Sequence, residues 1–217
     1  MMSDDSRSNS SAGERWRLFI AVPLPPGVRE IMGDVEHHLK AHDWPVKWVD
    51  PDLAHITLKF LGDTPSERVP EIRRALQPVA GRHTGAEVTT GRIGAFPSMN
   101  RARVIWLGLD GDLSPTDRLA RDVDVAMAGL GFGREERPFR PHITLGRLRH
   151  GKTVPRDFER IVSDLPVPRI AVRLDRVQLI RSVLDRSGPT YTTLAEWQLG
   201  PAAKEGVAAP VEIIEHG

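Results

Sequence analysis

The sequence predicts an α+β protein with a duplicated, two-lobed fold, in which two antiparallel sheets face a central groove and helices cover the outside. The first observation is a repeat, since the tetrapeptide His-Ile-Thr-Leu occurs at 55–58 and again at 142–145. The second is the order of patterns around it. Each half is predicted to contain a helix, the tetrapeptide strand, a second helix and a strand pair. A spacing of 87 residues, from 55 to 142, is too long for a solenoid repeat and fits the duplication of a whole lobe.

The composition is that of an ordinary soluble globular protein, with 217 residues of which 40% are hydrophobic and 27% charged. A net charge of +1 gives no global attraction to nucleic acid or to an anionic membrane, so any anion site must be local. The absence of cysteine excludes disulfides, thiol nucleophiles and cysteine metal sites. No apolar run approaches the roughly 20 residues of a membrane span, so we expect no membrane association and a cytoplasmic location.

Three segments of different composition follow one another along the chain. Residues 1–14 are rich in serine and aspartate and lack an apolar core, so we expect them to be disordered and not a secretory signal. Residues 15–200 are expected to form a single two-lobed domain. Residues 201–217, rich in alanine, glutamate and proline, are expected to form a flexible tail.

In the first quarter of the chain, apolar runs mark strands and apolar residues three or four positions apart mark a helix. A buried strand is expected at 16–22, and the prolines that follow it end the strand. The apolar stripe over 28–39 predicts a helix. A short strand is expected at 46–49, and the first tetrapeptide strand should stop at Gly62.

The middle of the chain begins with a predicted helix cap. Thr64 followed by Pro65 matches the residues favoured at the cap and the first position of a helix. Two strands are expected next, at 86–95 and 103–109. A helix opening at Ser114 should then lead towards the second tetrapeptide.

The last part of the chain is predicted to form a short helix over about 155–165 and two long strands. The strands are expected at 168–181 and 190–199. Because Gly188 and Pro189 separate them, we expect the two strands to form a hairpin.

Each tetrapeptide strand should carry a polar face opposite an apolar one, because residues i and i+2 of a strand share a face. An imidazole and a hydroxyl would then lie roughly 7 Å apart on the polar face. In the first copy the expected core residues are Ile56, Leu58 and Phe60, and the expected groove residues are His55, Thr57 and Lys59. In the second copy the core residues are Ile143 and Leu145, and the groove residues are His142 and Thr144.

Two histidines that face each other across a groove suit general acid–base catalysis, in which one neutral imidazole accepts a proton and one imidazolium donates one. Threonine hydroxyls beside them can donate hydrogen bonds to phosphate oxygens. No third residue with metal-ligand spacing accompanies the pair, so no metal is expected. Lys59, Arg140 and Arg147 are candidate positive charges for such a phosphate.

A single His-x-Thr on a strand is more often an ordinary surface residue or a satisfied core residue than a site. The functional hypothesis depends on the presence of two copies with the same alternation.

The segments 55–62 and 140–147 resemble the paired signatures of the 2H phosphoesterase superfamily, and in particular its RNA 2',3'-cyclic phosphodiesterase family, also called 2'-5' RNA ligase. The resemblance covers roughly residues 15–199. Further segments that are similar to that family are 17–21, 46–49, 94–97 and 188–191.

This resemblance implies metal-independent and cofactor-free hydrolysis of RNA 2',3'-cyclic phosphate ends to 2'-phosphate ends, with tRNA fragments as one candidate substrate. It also implies weak, reversible 2'-5' ligation by a protein that we expect to be a monomer. His55 and His142 would be the acid–base pair, with His55 as the acid for the leaving 3'-oxygen and His142 as the base for water. Thr57 and Thr144 would bind the phosphate, together with Arg147.

Three substrate-binding expectations depend on local geometry. Strict alternation places Arg147 on the face of Ile143, so it could reach the groove only if the strand bulges or ends near Gly146. Phe19 and Tyr191 could stack on the terminal base or simply line the groove.

Other functions stay open on the sequence alone. The chain could act on 2'-5' linked oligonucleotides or on a small cyclic nucleotide. A different class of function is a non-catalytic protein that binds RNA ends in the same groove.

Overall fold

The computed structural model describes residues 13–186 and 188–201. The expectations of a disordered start (1–14) and a flexible tail (201–217) concern residues that, apart from 13, 14 and 201, lie outside these ranges.

The described residues form nine strands and four α-helices. The strands are β1 (Arg15–Pro23), β2 (Val46–Trp48), β3 (His55–Pro65), β4 (Ala86–Phe96), β5 (Val104–Asp110), β6 (Ile143–Leu148), β7 (Ala171–Leu174), β8 (Arg176–Leu184) and β9 (Pro189–Gln198). The helices are α1 (Pro26–Lys40), α2 (Val69–Arg82), α3 (Ser114–Gly129) and α4 (Phe158–Asp164). None of these helices has the length and apolar character that a membrane crossing requires.

The strands form two antiparallel sheets, which confirms the predicted α+β class. The first sheet has the order β3-β1-β8-β9 and the second has the order β2-β6-β5-β4-β7. Helices α2 and α3 pack on each other and against β9 and β3 of the first sheet, while α4 contacts β4 of the second. The first tetrapeptide thus lies on an outer strand of one sheet, and the second lies on a strand of the other.

The two sheets do not correspond to the two halves of the chain. Strand β2 precedes the first tetrapeptide but pairs with β6 in the second sheet. The C-terminal hairpin of β8 and β9, which the sequence predicted, is confirmed, but β8 pairs with β1 in the first sheet. Each lobe therefore contains strands from both halves.

Alternation along β1 shows how the chain separates core from groove. Leu18, Ile20 and Val22 are buried in the main core. Burial of each such leucine or isoleucine side chain stabilises the fold by about 1.5–3 kcal/mol. Phe19 and Ala21, on the opposite face, belong to a separate small cluster. The predicted stripe of α1 is confirmed, since its apolar residues are buried: Val28, Ile31, Met32, Val35 and Leu39.

The predicted cap at Thr64 and Pro65 is wrong. Both residues still belong to β3, where Thr64 is opposite Trp16 and is only 1% exposed. The Thr64 hydroxyl donates back to the carbonyls of Leu61 and Gly62, so it does not cap a helix. Helix α2 begins four residues later.

The predicted single strand at 168–181 is two strands. β7 pairs with β4 in the second sheet, and β8 pairs with β1 in the first. The chain changes sheets at Asp175, whose carbonyl accepts a hydrogen bond from the backbone N–H of Leu199. The sequence of this run does not show the change of sheet, because the partner strands are distant in sequence.

Candidate active site

Both tetrapeptide strands contain a bulge at their leucine. In β3, Ala21 is opposite Thr57 and the next residue of β1, Ile20, is opposite Lys59, so Leu58 is an extra residue. In β6, Trp106 is opposite Thr144 and Ile105 is opposite Gly146, so Leu145 is extra. A bulge reverses the alternation that follows it.

The bulge in β3 corrects two expectations. Phe60, expected in the core, is 56% exposed, and its ring centroid lies 6.0 Å from that of Phe19 on the groove side. Lys59, expected in the groove, is only 2% exposed. Its Nζ lies 2.6 Å from Asp124 Oδ1 in α3, so Lys59 is not available to a ligand.

The bulge in β6 brings Arg147 onto the face of His142 and Thr144. Strict alternation would have placed Arg147 on the other face, and a bulge near Gly146 was the condition for its reaching the groove. Glycine is needed at position 146, directly after the extra residue, because a Cβ there would lie 2.6 Å from Val46 Cγ1. A larger residue would therefore collide with β2, which pairs with β6 at this point. Arg147 is exposed and has no hydrogen bond or ion pair within the described ranges. Its role in binding a phosphate stays a prediction.

The two histidines are held in the same way. His55 Nδ1 donates to the carbonyl of Leu53 over 2.9 Å, and His142 Nδ1 donates to the carbonyl of Arg140 over 2.7 Å. A carbonyl only accepts, so the proton of each neutral ring is on Nδ1. Among the described residues neither Nε2 has a hydrogen-bond partner, so each can accept a proton from a substrate or water and return it after protonation.

The pKa of each histidine is lowered from its ordinary value of 6.5, chiefly by burial. The hydrogen bond to the backbone opposes this effect in both rings. The charge of Arg147 lowers the pKa of both, and the charge of His142 lowers the pKa of His55 as well. Strands β3 and β6 are in contact, so the fold brings the two tetrapeptides close together although they lie in different sheets.

Thr57 and Thr144 are half-buried and lie on the faces of their histidines. Neither hydroxyl has a hydrogen-bond partner in the part of the chain that the structure describes. Both are therefore available as donors to a ligand.

Aromatic rings surround His55. Phe19 stacks on it with ring centroids 4.7 Å apart, and Tyr191 approaches edge-on at 5.5 Å. Phe19 is only 3% exposed, so its burial favours a packing role over stacking on a base. Tyr191 is half-buried, and burial raises the pKa of its hydroxyl, which stays protonated as a donor near neutrality.

Aromatic rings also surround His142, and the sequence interpretation missed them. The ring centroid of Phe96 lies 4.9 Å from that of His142, and the centroid of Trp106 lies 6.5 Å away. Phe60 was missed as a groove residue as well. The available signal was its spacing, since Phe60 follows His55 by five residues as Arg147 follows His142.

The remaining charge candidate, Arg140, is exposed and contributes its carbonyl to His142. Within residues 13–186 and 188–201, no group of three or more histidine, aspartate or glutamate side chains could hold a metal ion. The candidate site thus offers two imidazoles, two hydroxyls and one guanidinium, from strand β3 of the first sheet and from strand β6 of the second, with His142 directly before β6.

Comparison with known proteins gives consistent results. A family model described as the 2'-5' RNA ligase superfamily matches residues 25–186. The RNA 2',3'-cyclic phosphodiesterase of Methanothermobacter thermautotrophicus is 32% identical over 183 residues, which are 84% of this chain and 98% of that protein. The protein of the same name from Thermotoga maritima is 30% identical over 185 residues, 84% of this chain and 95% of its own.

Solved structures show the same fold. TT0787 of Thermus thermophilus superposes with a TM-score of 0.69 at 27% identity, covering 85% of this chain and 98% of that one. Escherichia coli LigT, in complex with 3'-AMP, gives a TM-score of 0.63 at 30% identity, covering 86% and 99%. The family match and the extent of these similarities confirm the resemblance of the paired motifs: the chain belongs to the 2'-5' RNA ligase superfamily.

Proposed function

We propose that this protein hydrolyses RNA 2',3'-cyclic phosphate ends to 2'-phosphate ends without a metal, with His55 and His142 as the acid–base pair. The observation that carries the proposal is the matched pair of imidazoles, each with Nδ1 bound to a backbone carbonyl and Nε2 free. Superfamily membership and the relatives named RNA 2',3'-cyclic phosphodiesterase support the substrate class.

In the proposed reaction, His142 accepts a proton from water as the water oxygen attacks phosphorus. The bond from phosphorus to the 3'-oxygen breaks, and His55 donates its proton to that oxygen. The hydroxyls of Thr57 and Thr144 donate to the non-bridging oxygens, and Arg147 balances the charge that develops on them. If the 5'-hydroxyl of a second RNA replaces water as the nucleophile, His142 accepts its proton, His55 protonates the leaving 3'-oxygen, and a 2'-5' linkage forms. Cleavage of that linkage runs the same steps in reverse and exchanges the roles of the two histidines, so the ligation is reversible.

The test is to incubate the purified protein, with a chelator present, with a short RNA that ends in a 2',3'-cyclic phosphate, and to identify the product end. A 2'-phosphate end is the expected result. A 3'-phosphate end would mean that the 2'-oxygen leaves and would contradict the assigned geometry. Loss of turnover on addition of the chelator would reject the metal-free mechanism. RNA that stays bound without turnover would favour the non-catalytic end-binding function.

The reaction should have a bell-shaped pH dependence, because one histidine must be neutral while the other is protonated. Activity is lost as the pH falls through the pKa of the base, and it is lost again as the pH rises through the pKa of the acid. Since burial holds both pKa values of the free protein below 6.5, we expect kcat/KM to be maximal on the acidic side of neutrality.

The same profile tests the contribution of Arg147. Its charge lowers both pKa values, so Arg147→Gln should move the kcat/KM maximum to higher pH, whatever the loss in rate. Arg74→Gln, which removes an exposed charge on α2, should leave the maximum in place. A flat profile between about pH 5 and 8 would contradict the two-histidine mechanism.

A further inference from the structure

The first sheet is split at one end. Strands β1 and β8 pair from Ala21–Gln178 to Arg17–Ser182, and their pairing stops there. Both strands continue, but β1 remains paired only with β3 as far as Arg15, and β8 only with β9 as far as Leu184. An open cleft of 310 Å³ lies between these two hairpins, and we call it the fork cleft. Its lining residues are Arg15, Trp16, Arg17, Asp63, Arg181, Ser182, Val183 and Leu184.

Two of the three arginines of the fork cleft are engaged. Arg15 donates to the backbone carbonyl of Asp63. The guanidinium of Arg181 lies 2.9 Å from a carboxylate oxygen of Glu14 and 4.2 Å above the ring of Trp16. Both guanidinium groups are therefore occupied by contacts with neighbouring residues.

Arg17 is the cation that remains. It is exposed, and within the described part of the chain it has no hydrogen bond, ion pair or ring contact. The Asp63 carboxylate, directly opposite Arg17 on β3, also lines the cleft, whose other charged lining residues are three arginines. Ser182, directly opposite Arg17, adds a hydroxyl donor to the same cleft. A guanidinium and a hydroxyl at an open cleft suit a phosphate group.

The fork cleft continues the groove of the candidate active site. Arg17 and Phe19 lie on the same face of β1, about 7 Å apart along the strand, and Phe19 stacks on His55. Tyr191 contacts both Phe19 and His55. Burial raises the pKa of the Tyr191 hydroxyl, and the charges of Arg147 and Arg17 oppose that rise. Arg17 therefore follows directly on the cluster of rings that Phe19, His55 and Tyr191 form in the groove.

We propose that the fork cleft binds the backbone phosphate on the 5' side of the nucleotide that carries the cyclic end, with Arg17 as its cationic ligand. This inference rests on the proposed function, because it takes the cyclic end to lie between His55 and His142. It makes an oligonucleotide the preferred substrate class, since a nucleoside cyclic monophosphate has no upstream phosphate to fill the cleft. The single-stranded backbone would follow the groove from the histidines to the fork.

The test compares wild-type protein and Arg17→Gln on two substrates. One is a short RNA with a 2',3'-cyclic phosphate end, and the other is a nucleoside 2',3'-cyclic monophosphate. We expect kcat/KM for the RNA to fall about tenfold, mainly through KM, because a charge-assisted contact to phosphate is lost. For the nucleoside cyclic monophosphate, kcat/KM should fall less than about twofold in Arg17→Gln. Arg17→Lys should recover part of the RNA activity, and the salt dependence for RNA should be weaker in Arg17→Gln.

The control is Arg73→Gln, which removes an exposed charge from α2, on the outer side of the first sheet. It should behave as the wild type on both substrates. Equal loss on both substrates in Arg17→Gln would place Arg17 in the chemical step and overturn the inference, as would no loss on either. If the wild type turns over neither substrate, the proposed function fails. Fluorescence anisotropy with the same RNA then tests phosphate binding in the fork cleft without turnover. The inference still requires that Arg17→Gln binds this RNA more weakly than the wild type does.

Discussion

Replacing either histidine by asparagine should lower the rate of cyclic phosphate hydrolysis by about 10²- to 10⁴-fold, the usual contribution of a positioned acid or base. Asparagine is chosen because its amide N–H can replace Nδ1–H and keep the hydrogen bond to the carbonyl of Leu53 or Arg140. It removes Nε2, the nitrogen that transfers the proton. The measurement is single-turnover cleavage of a cyclic phosphate RNA by His55→Asn and by His142→Asn.

The two variants should also be non-additive. If the histidines act on one proton-transfer step, the double variant should lose little more than the single variants. RNA binding should persist in all three, because the hydroxyls and Arg147 remain. His37→Asn, on the exposed side of α1, should keep full activity. A His55 or His142 variant that retains half of the wild-type rate would reject the mechanism.

Lys59→Met should destabilise the protein by about 3–5 kcal/mol, which corresponds to a melting temperature lower by about 6–20 °C for a domain of this size. Lys59 Nζ is buried and donates to Asp124 Oδ1 over 2.6 Å and to the carbonyl of Gly133 over 2.7 Å. Removal of the ammonium leaves the largely buried Asp124 carboxylate with Arg134 as its one remaining cationic partner among the described residues. Thermal and chemical denaturation measure the loss.

Two further variants distinguish the effect of breaking this buried ion pair from the effect of removing any positive charge. Lys59→Met combined with Asp124→Leu should recover part of the lost stability, because no uncompensated carboxylate remains in the core. Arg160→Met breaks an exposed pair with Asp164 in α4 and should cost less than about 1 kcal/mol. If Lys59→Met costs no more than Arg160→Met, the buried pair is not a major contribution to stability.

The alternation of apolar and polar residues predicted the parts of the site that precede the bulges. His55, Thr57, His142 and Thr144 lie on the expected faces because each is at most two residues from the start of its motif. Phe60 and Lys59 were assigned to the wrong faces, since a bulge depends on the register with the partner strand. The partner, β1, is about 40 residues away in sequence for Phe60. A pattern within one strand does not contain that information.

The fold class was predictable for a different reason. Period-two and period-3.6 patterns are local, so most strands and helices were expected near their observed places. The assignment of strands to sheets is not local. β7 and β8 are separated by one residue, yet they belong to different sheets, and their apolar runs look alike. The environment of His142 was missed for the same reason, because Phe96 and Trp106 reach it through the pairing of β4, β5 and β6.

The exchange of strands between the sheets affects how the chain can fold during its synthesis. The second sheet receives its last strand, β7, at residue 174, whereas the first sheet begins with β1 and is finished only by β8 and β9. A nascent chain that has not reached residue 176 therefore leaves one edge of β1 without its permanent neighbour. Because such long-range pairing is slow and an unpaired strand edge can bind wrong partners, we expect β1 to be exposed to mispairing until β8 has been synthesised.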